Sequence, residues 1–389
     1  MNKIFLTQEI GSIQRPIWRQ KLDAPVNKAW IDSAKLWGER LGVEELGELI
    51  GILRKDGKSR TLHEKQRIIE IASIYVIRMF ERAGLDRVFN GEQPRTEMYD
   101  FLARNTEGIA TAGTLNSFDA NYFKKGIIES ELKVKKEGIK FFTDEYSFVS
   151  KHTARIVKPC LTGAYTMMDW SYAEYHRKKH ETKGANPLEA LKSGRRDALL
   201  DFARNVLNPI VKELANAGAE VIQIDEPAAA TNEQESELFV EATNESFKGI
   251  PSQVEKSVHL CYSDYTSLFP ALADCNADSY LIEFTNHASP INFKPDDVDP
   301  RTYKALKLFK EHGMDVSVGL GVVDIHSDFI ETPQVVRDRI LYAAKVLGDP
   351  AKVQINPDCG LRTRQWFVSY AKLLNMAEGA ALARAEYGD

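Results

Sequence analysis

His259 and Cys261 lie two residues apart in the short apolar stretch SVHLCYS. In a β-strand, residues i and i+2 point to the same face, so the imidazole and the thiol would project side by side. Such a pair is either a buried cysteine beside a hydrogen-bonded core histidine or half of a metal site. The residues that end the other predicted strands favour the metal site.

Two further ligand types follow later strands in the same half of the predicted fold. Glu283 ends the run SYLIE, and Cys359 lies in NPDCG after the last run. With His259 and Cys261 they supply one nitrogen, two sulfur and one oxygen ligand. A thiolate-rich tetrahedral set selects zinc over magnesium, calcium or manganese, so we predict that these four residues bind Zn2+. Two other cysteines, Cys160 and Cys275, are predicted to be core residues, and His287 is a weaker substitute ligand.

The predicted ligands also indicate a type of chemistry. Hydrolytic zinc sites usually keep neutral or oxygen ligands, so that the metal stays acidic enough to ionise water. Two thiolates and a carboxylate would leave a negatively charged complex. Such a site suits a different task, which is to hold a substrate thiol as a nucleophilic thiolate, because zinc lowers a thiol pKa from about 8.5 to below neutral. The ligand set therefore indicates alkyl transfer onto a thiol.

Strand-like apolar runs alternate with helical segments along the whole chain. The runs are KIFLTQEIGS, GLDRVFNGE, RIVKPCLTGA, AEVIQIDEP, SVHLCYS, SYLIEFTN, MDVSVGLGVVD and KVQINPDCG. This alternation predicts an α/β fold, and eight units favour a (β/α)8 TIM barrel over a doubly wound open sheet. We expect one catalytic domain over residues 1–389, with a helical N-terminal elaboration at about 14–58 and a hairpin insertion at about 116–153.

Composition limits the functional class. The chain has 389 residues, of which 43% are hydrophobic and 28% charged, and its net charge is −5. This balance does not indicate binding to nucleic acid or to an anionic membrane surface. The sequence contains neither a signal-peptide core nor an apolar run of membrane-spanning length, so we predict a cytoplasmic location. Nothing in the sequence indicates an oligomeric state.

Several segments resemble one family. VHLCYS, LIEFT, QIDEPA, VDIHS and INPDCGLRTR are similar to the catalytic barrel of cobalamin-independent methionine synthase. EIGSIQRP, NGEQPR and LTGAYTMMDWSY match further segments of that barrel in the same order. The resemblance covers most of the chain and implies a (β/α)8 barrel, zinc and methyl transfer to L-homocysteine.

The resemblance also implies roles for residues that bind the amino acid. The backbone groups of Ile10, Gly11 and Ser12 would hold the substrate, and Glu92 and Asp225 would bind its ammonium group. Two carboxylates that face one ammonium are physically reasonable, because charge-assisted hydrogen bonds would orient the thiol toward the metal.

Two residues would serve the methyl donor and the proton. Trp170 matches the aromatic residue that stacks on the folate pterin, although a core or rim tryptophan is the simpler explanation of this residue type. His326 matches the proposed proton carrier, although it could be a capping histidine. Where the family motif has proline after LTG, this chain has Ala164, which affects the shape expected for the donor pocket.

The best-known members of the family are tandem double barrels, whereas this chain predicts one barrel. A single barrel favours a methylcobalamin or corrinoid-protein donor, whereas the match of the segment that carries Trp170 favours 5-methyltetrahydrofolate. We predict 5-methyltetrahydrofolate, because it rests on a specific residue match, and keep the corrinoid donor as the alternative. A related zinc-dependent alkyltransferase that acts on another thiol, such as coenzyme M, is a second alternative. A metal hydrolase would need a His-x-His motif on the first strand, which is absent. A non-catalytic barrel with a structural zinc would leave Glu92, Asp225 and His326 unexplained.

Overall fold

A curled parallel β-sheet forms the centre of the protein. The computed structural model describes residues 3–117, 120–261, 264–294, 299 and 301–388. The strands are β1 (Leu6–Thr7), β2 (Arg87–Val88), β3 (Thr106–Ser117), β4 (Ala120–Val134), β5 (Ile156–Val157), β6 (Cys160–Thr162), β7 (Ser171–Tyr172), β8 (Val221–Asp225), β9 (Glu255–Leu260), β10 (Ser279–Ile282), β11 (Ser317–Gly321) and β12 (Val353–Asn356).

Within these described ranges, seven strands pair in the order β1-β12-β11-β10-β9-β8-β6, and every pair is parallel. Parallel strands place their carboxyl ends at one edge of the sheet, so the residues that follow them are neighbours in space. Strands β10 and β12 are buried along their whole length, as expected for a sheet with helices packed against it.

Shorter contacts continue the sheet beyond its two outer strands. A parallel bridge joins Gln8, next to β1, to Arg87 of β2. β2 pairs with β5 in parallel, and β5 leads through Lys158 and Pro159 directly into β6. The backbone N–H of Lys158 donates to Val88 O at 3.1 Å. β2 and β5 therefore lie between β1 and β6.

Helices follow the strands and cover the sheet. They are α1 (Ile17–Gln20), α2 (Lys28–Leu41), α3 (Leu46–Leu53), α4 (Leu62–Ala83), α5 (Met98–Arg104), α6 (Lys136–His152), α7 (Ala164–Asp169), α8 (Glu174–Glu181), α9 (Pro187–Asp201), α10 (Asn208–Asn216), α11 (Ser236–Ser246), α12 (Leu306–Glu311), α13 (Pro333–Leu347) and α14 (Trp366–Tyr387). Their ends follow local sequence signals. In α13, Thr332 Oγ1 accepts a hydrogen bond from Val335 N, and Gly348 ends the helix at φ 82°, a backbone conformation that glycine adopts without strain.

The two segments that the sequence places outside a minimal barrel differ from each other. Helices α1, α2 and α3 occupy the first, at 14–58. In the second, a hairpin of β3 and β4 starts at Thr106, before the expected bound of 116, and α6 fills the rest. The sequence of β3, TEGIATAGTLNS, lacks the alternating large apolar residues of a typical strand. This segment is a strand because it pairs with β4. Residues 118 and 119 of the expected insertion lie outside the described residues.

The hairpin is tied to the segment after β6. Gly126 and Ile127 of β4 pair in parallel with Ser171 and Tyr172 of β7, and Tyr99 Oη lies 2.7 Å from Ser171 Oγ. In the described part of the chain, no helix combines the length and the apolar character that a bilayer crossing requires.

Candidate active site

Three of the predicted metal ligands meet at the carboxyl edge of the sheet. The ligand atoms of His259, Cys261 and Cys359 all lie within 4.8 Å of one another. His259 Nε2 lies 3.4 Å from Cys359 Sγ, and the two sulfur atoms are 3.6 Å apart. His259 is contributed by β9, Cys261 follows β9, and Cys359 follows β12, so the register of two different strands assembles the cluster.

A backbone contact fixes the imidazole of His259. Its Nδ1 lies 2.9 Å from Leu281 O on the adjacent strand β10. A carbonyl accepts only from a protonated nitrogen, so this contact places the proton on Nδ1 and leaves the lone pair of Nε2 toward the cluster. Burial by itself would lower the pKa of His259, but the Cys359 sulfur, the Asp225 carboxylate and the hydrogen bond to Leu281 O together raise it.

The two thiols differ in their tendency to ionise. The hydrogen bond between them, together with the nearby His259, lowers the pKa of Cys359 to about 5 although its burial opposes ionisation. The same hydrogen bond and burial raise the pKa of Cys261 well above its usual range. The cluster thus favours one thiolate near neutral pH, and a cation would be needed to ionise both sulfurs.

Glu283 lies beside the cluster and contacts His326. Its side chain is buried, and its Oε1 lies 3.2 Å from His326 Nε2. The hydrogen bond to Glu283 raises the pKa of His326. The structure therefore places the Glu283 carboxylate against His326. It does not belong to the cluster of His259, Cys261 and Cys359, whose ligand atoms all lie within 4.8 Å of one another.

Asp358, which the sequence analysis did not single out, holds the turn that carries Glu283. Its Oδ1 accepts hydrogen bonds from Phe284 N at 3.0 Å and Thr285 N at 3.1 Å, and Thr285 Oγ1 donates to its Oδ2. Asp358 is fully buried, and its burial and the charge of Glu283 raise its pKa well above the ordinary value. A signal was present, since Asp358 directly precedes Cys359 in NPDCG.

A cavity of about 160 Å³ opens next to the cluster. It brings together most of the residues predicted from the sequence, namely Ile10, Gly11, Ser12, Glu92, Asp225, His259, Cys261 and Cys359. Met98, Pro227, Ile325 and Arg362 also line it. Its size is below the roughly 300–1,000 Å³ of pockets for drug-sized ligands, so it suits a small molecule.

Two carboxylates line this cavity near a third polar group. The side-chain atoms of Glu92, Cys160 and Asp225 lie within 4.8 Å of one another. Cys160 Sγ donates to Glu92 Oε1 at 3.4 Å, so this cysteine, predicted to be a core residue, is buried beside the cavity. Burial, and in addition the negative charge of Glu92, raises the pKa of Asp225 to about 7. A cationic ligand would reduce the repulsion between the two carboxylates.

A buried polar layer beneath the cavity was missed in the sequence. Gln223 Nε2 donates to Asp225 Oδ1 and to Ile10 O, each at 2.5 Å. Its Oε1 accepts from Lys158 Nζ, which lies 3.8 Å from Glu9 Oε1. The i, i+2 spacing of Gln223 and Asp225 on β8 was the available signal, because it puts both side chains on one face of the strand.

The segment with the predicted donor residue is anchored from β8. Glu226, buried next to Asp225, accepts hydrogen bonds from Tyr165 N at 3.0 Å and Thr166 N at 2.8 Å at the start of α7. Trp170 ends this helix, is 8% exposed, and has its ring 6.3 Å from that of Tyr99. Trp170 is not among the residues that line the cavity. His287, the weaker ligand candidate, lies 3.9 Å from Asp299.

Comparisons with known proteins identify the family of this chain. A family model described as "Cobalamin-independent synthase, Catalytic domain" matches residues 51–382. A methionine synthase of Thermoplasma volcanium is 35% identical over 324 residues, covering 80% of this chain and 88% of the relative. A methionine synthase of Sulfurisphaera tokodaii is 33% identical, covering 86% and 87%.

A solved structure with a related fold is the B12-independent methionine synthase of Shewanella, with a TM-score of 0.72, 22% identity and 99% coverage of both chains. At this identity the likeness shows the fold. The family model and the curated relatives define the class, which is that of the methyltransferases. The chain belongs to the cobalamin-independent methionine synthase family.

Proposed function

We propose that this protein is a zinc-dependent methyltransferase that transfers a methyl group to the thiol of L-homocysteine and forms L-methionine. The observation that carries the proposal is that one small cavity is lined both by the His259, Cys261 and Cys359 cluster and by the Glu92 and Asp225 carboxylates. One end suits a thiol, and the other suits an ammonium group.

The donor atoms of the cluster fit zinc. One imidazole nitrogen and two sulfurs make a tetrahedral zinc site when a carboxylate completes it. The other imidazole nitrogen of His259 is hydrogen-bonded to a backbone carbonyl, as is usual for a histidine that binds zinc. Glu283, buried and adjacent, is the proposed fourth ligand. Bound zinc would lower the pKa of the substrate thiol and keep the sulfur nucleophilic.

The carboxylates select an amino acid among thiols. Glu92 and Asp225 would accept hydrogen bonds from the substrate ammonium, while backbone groups of Ile10, Gly11 and Ser12 hold the remainder. A thiol that carries a sulfonate and no ammonium, such as coenzyme M, would meet two carboxylates and be repelled. This argument supports homocysteine as the acceptor.

The reaction forms a sulfur–carbon bond and breaks the bond between the methyl group and its carrier. The thiol proton must leave, and the carrier must gain a proton if its leaving group is basic. His326, whose pKa is raised by Glu283, is proposed to carry a proton at Nε2 beside the reacting sulfur.

Our first candidate for the methyl donor is 5-methyltetrahydrofolate, because Trp170 stands at the position that matches the pterin-stacking residue. The second candidate is methylcobalamin or a corrinoid protein. The burial of Trp170 and its place outside the cavity lining favour this second donor.

We further propose that residues 1–389 form one catalytic domain and that its strands close into a (β/α)8 barrel. The bridge between Gln8 and Arg87 and the pairing of β2 with β5 support this closure. With these strands between β1 and β6, the ring would have eight positions, and β5 and β6 would share one of them.

A methyl-transfer assay tests the function. The zinc-loaded protein is incubated with homocysteine and with methyl-folate monoglutamate, its triglutamate, or methylcobalamin, and methionine is measured. We expect methionine with at least one donor, and no methylated coenzyme M when coenzyme M replaces homocysteine. Methylation of coenzyme M but not of homocysteine would contradict the proposed acceptor.

A further inference from the structure

A buried ion pair outside the cavity joins α14, the helix that follows the last strand, to the loop before α13. Lys372 Nζ of α14 lies 2.8 Å from Glu331 Oε2, and both side chains are 0% exposed. Burying two charges is costly, and a well-packed apolar pair of similar volume is often as stable. Stability alone is thus a weak explanation for the pair, and its other contacts are more informative.

Those contacts all go to one loop, residues 322–332, between β11 and α13. Glu331 Oε1 accepts a hydrogen bond from Asp324 N at 2.7 Å. Lys372 Nζ also donates to Phe329 O, and Asn375 Nδ2 donates to Glu331 O at 2.8 Å. The pair therefore fixes the backbone at both ends of the segment 324–331.

The same segment carries His326. Asp324 Oδ1 accepts a hydrogen bond from His326 N at 2.7 Å, and His326 Nε2 reaches Glu283 Oε1 at 3.2 Å. His326 is itself partly exposed, at 28% of its side chain, so packing constrains it less than the buried residues of the site. A series of hydrogen bonds thus joins α14 to the backbone of the segment that carries this imidazole, and it ends at His326 N.

We propose that Lys372 and Glu331 are positioning residues for His326, which hold its loop so that the imidazole stays beside Glu283 and the reacting sulfur. This inference rests on the proposed function, because it assigns the pair to the step in which His326 carries a proton. Neither residue lines the cavity, so they would affect turnover and not the binding of homocysteine.

The main test is the double variant Glu331→Leu with Lys372→Met. Removing both charges avoids an uncompensated buried charge, so we expect a thermal midpoint close to that of the native protein. The loop loses its anchors, and we expect kcat to fall by up to about 10²-fold, the scale of a misplaced reacting group, with KM for homocysteine unchanged. The matched control is Arg87→Met with Glu255→Leu, which removes an ion pair near the amino ends of the strands and should leave kcat unchanged.

A second measurement does not depend on activity. Diethylpyrocarbonate modifies accessible imidazoles, and peptide mass spectrometry gives its rate at His326. We expect faster modification of His326 in the double variant than in the native protein or the control. His63, which is exposed at the start of α4 and lies outside the loop 322–332, should react at the same rate in all three proteins.

Native kcat together with a native modification rate in the double variant would overturn the proposal. If the double variant does not fold, Asp324→Ala and Asp324→Asn replace it. The alanine removes the acceptor for His326 N and should reduce kcat, whereas the asparagine retains an oxygen and should restore it; equal kcat for both would overturn the proposal. If the native protein transfers no methyl group to homocysteine, the proposed function fails, and the modification rate alone decides on positioning.

Discussion

Replacing Asp225 by asparagine would test how the site recognises its substrate. Asp225 ends β8 at the wall of the cavity, and its carboxylate is close to that of Glu92. Asparagine has nearly the same shape and keeps an oxygen for the hydrogen bond from Gln223 Nε2, which is 2.5 Å long in the native protein. The substitution therefore removes the negative charge and little else.

The expected size follows from the type of contact. A hydrogen bond to a charged group contributes about 1.5–3 kcal/mol, and each 1.4 kcal/mol changes a dissociation constant tenfold. We expect the Kd for homocysteine to rise by roughly 10- to 100-fold. Glu92 remains to accept from the ammonium group, so binding should weaken and not disappear.

Isothermal titration calorimetry of the zinc-loaded protein measures this Kd, and metal analysis confirms equal zinc content. Asp278→Asn is the matched control, because Asp278 precedes β10 at the opposite edge of the sheet and accepts a hydrogen bond from Lys256 N. It should leave the Kd unchanged. An unchanged Kd for Asp225→Asn at full zinc content would remove Asp225 from the substrate site.

Three further changes test other parts of the site. Cys359→Ser should lose most of the bound zinc and the activity, whereas Cys275→Ser, at a buried cysteine outside the cluster, should keep both; full metal retention by the first variant would refute the ligand assignment. If methyl-folate is the donor, Trp170→Ala should weaken its binding by about 1 kcal/mol, the size of an aromatic pair beyond burial, and leave homocysteine binding unchanged; equal methyl-folate binding would indicate that the pterin does not stack there. Gly321→Ala would place a Cβ 2.2 Å from Asp358 Oδ1, so denaturant titration should show a loss of about 1–3 kcal/mol in the free energy of unfolding, and a native value would contradict the packing around Asp358.

The meeting of certain residues at the strand ends was predictable, because local sequence patterns predict the strands that carry them. Apolar runs predict strands, and parallel strands bring their carboxyl ends together, so His259, Cys261 and Cys359 were expected to meet before any coordinates were known. Glu92 and Asp225, whose roles the resemblance to the family implied, line the same cavity. For the three clustered residues, the position of each residue in or after its own strand was sufficient information.

The contacts of the individual side chains were not predictable in this way. Glu283 was expected as a ligand on equal terms with the cysteines, but its oxygen lies against His326. Trp170 was expected in a donor pocket, and it packs near Tyr99 outside the cavity lining. Side-chain direction depends on the neighbouring loops, whose course has no periodic signal in the sequence.

The sequence by itself determined the class of chemistry, because two thiols, an imidazole and a carboxylate at strand ends restrict the choice of metal and reaction. Only the tertiary structure decided which buried groups support them. Asp358 binds backbone N–H groups after Glu283, and Lys372 of α14 reaches Glu331 in the loop before α13. Such partners are far apart along the chain, and they meet only because sheet order and helix packing fix the distances between them.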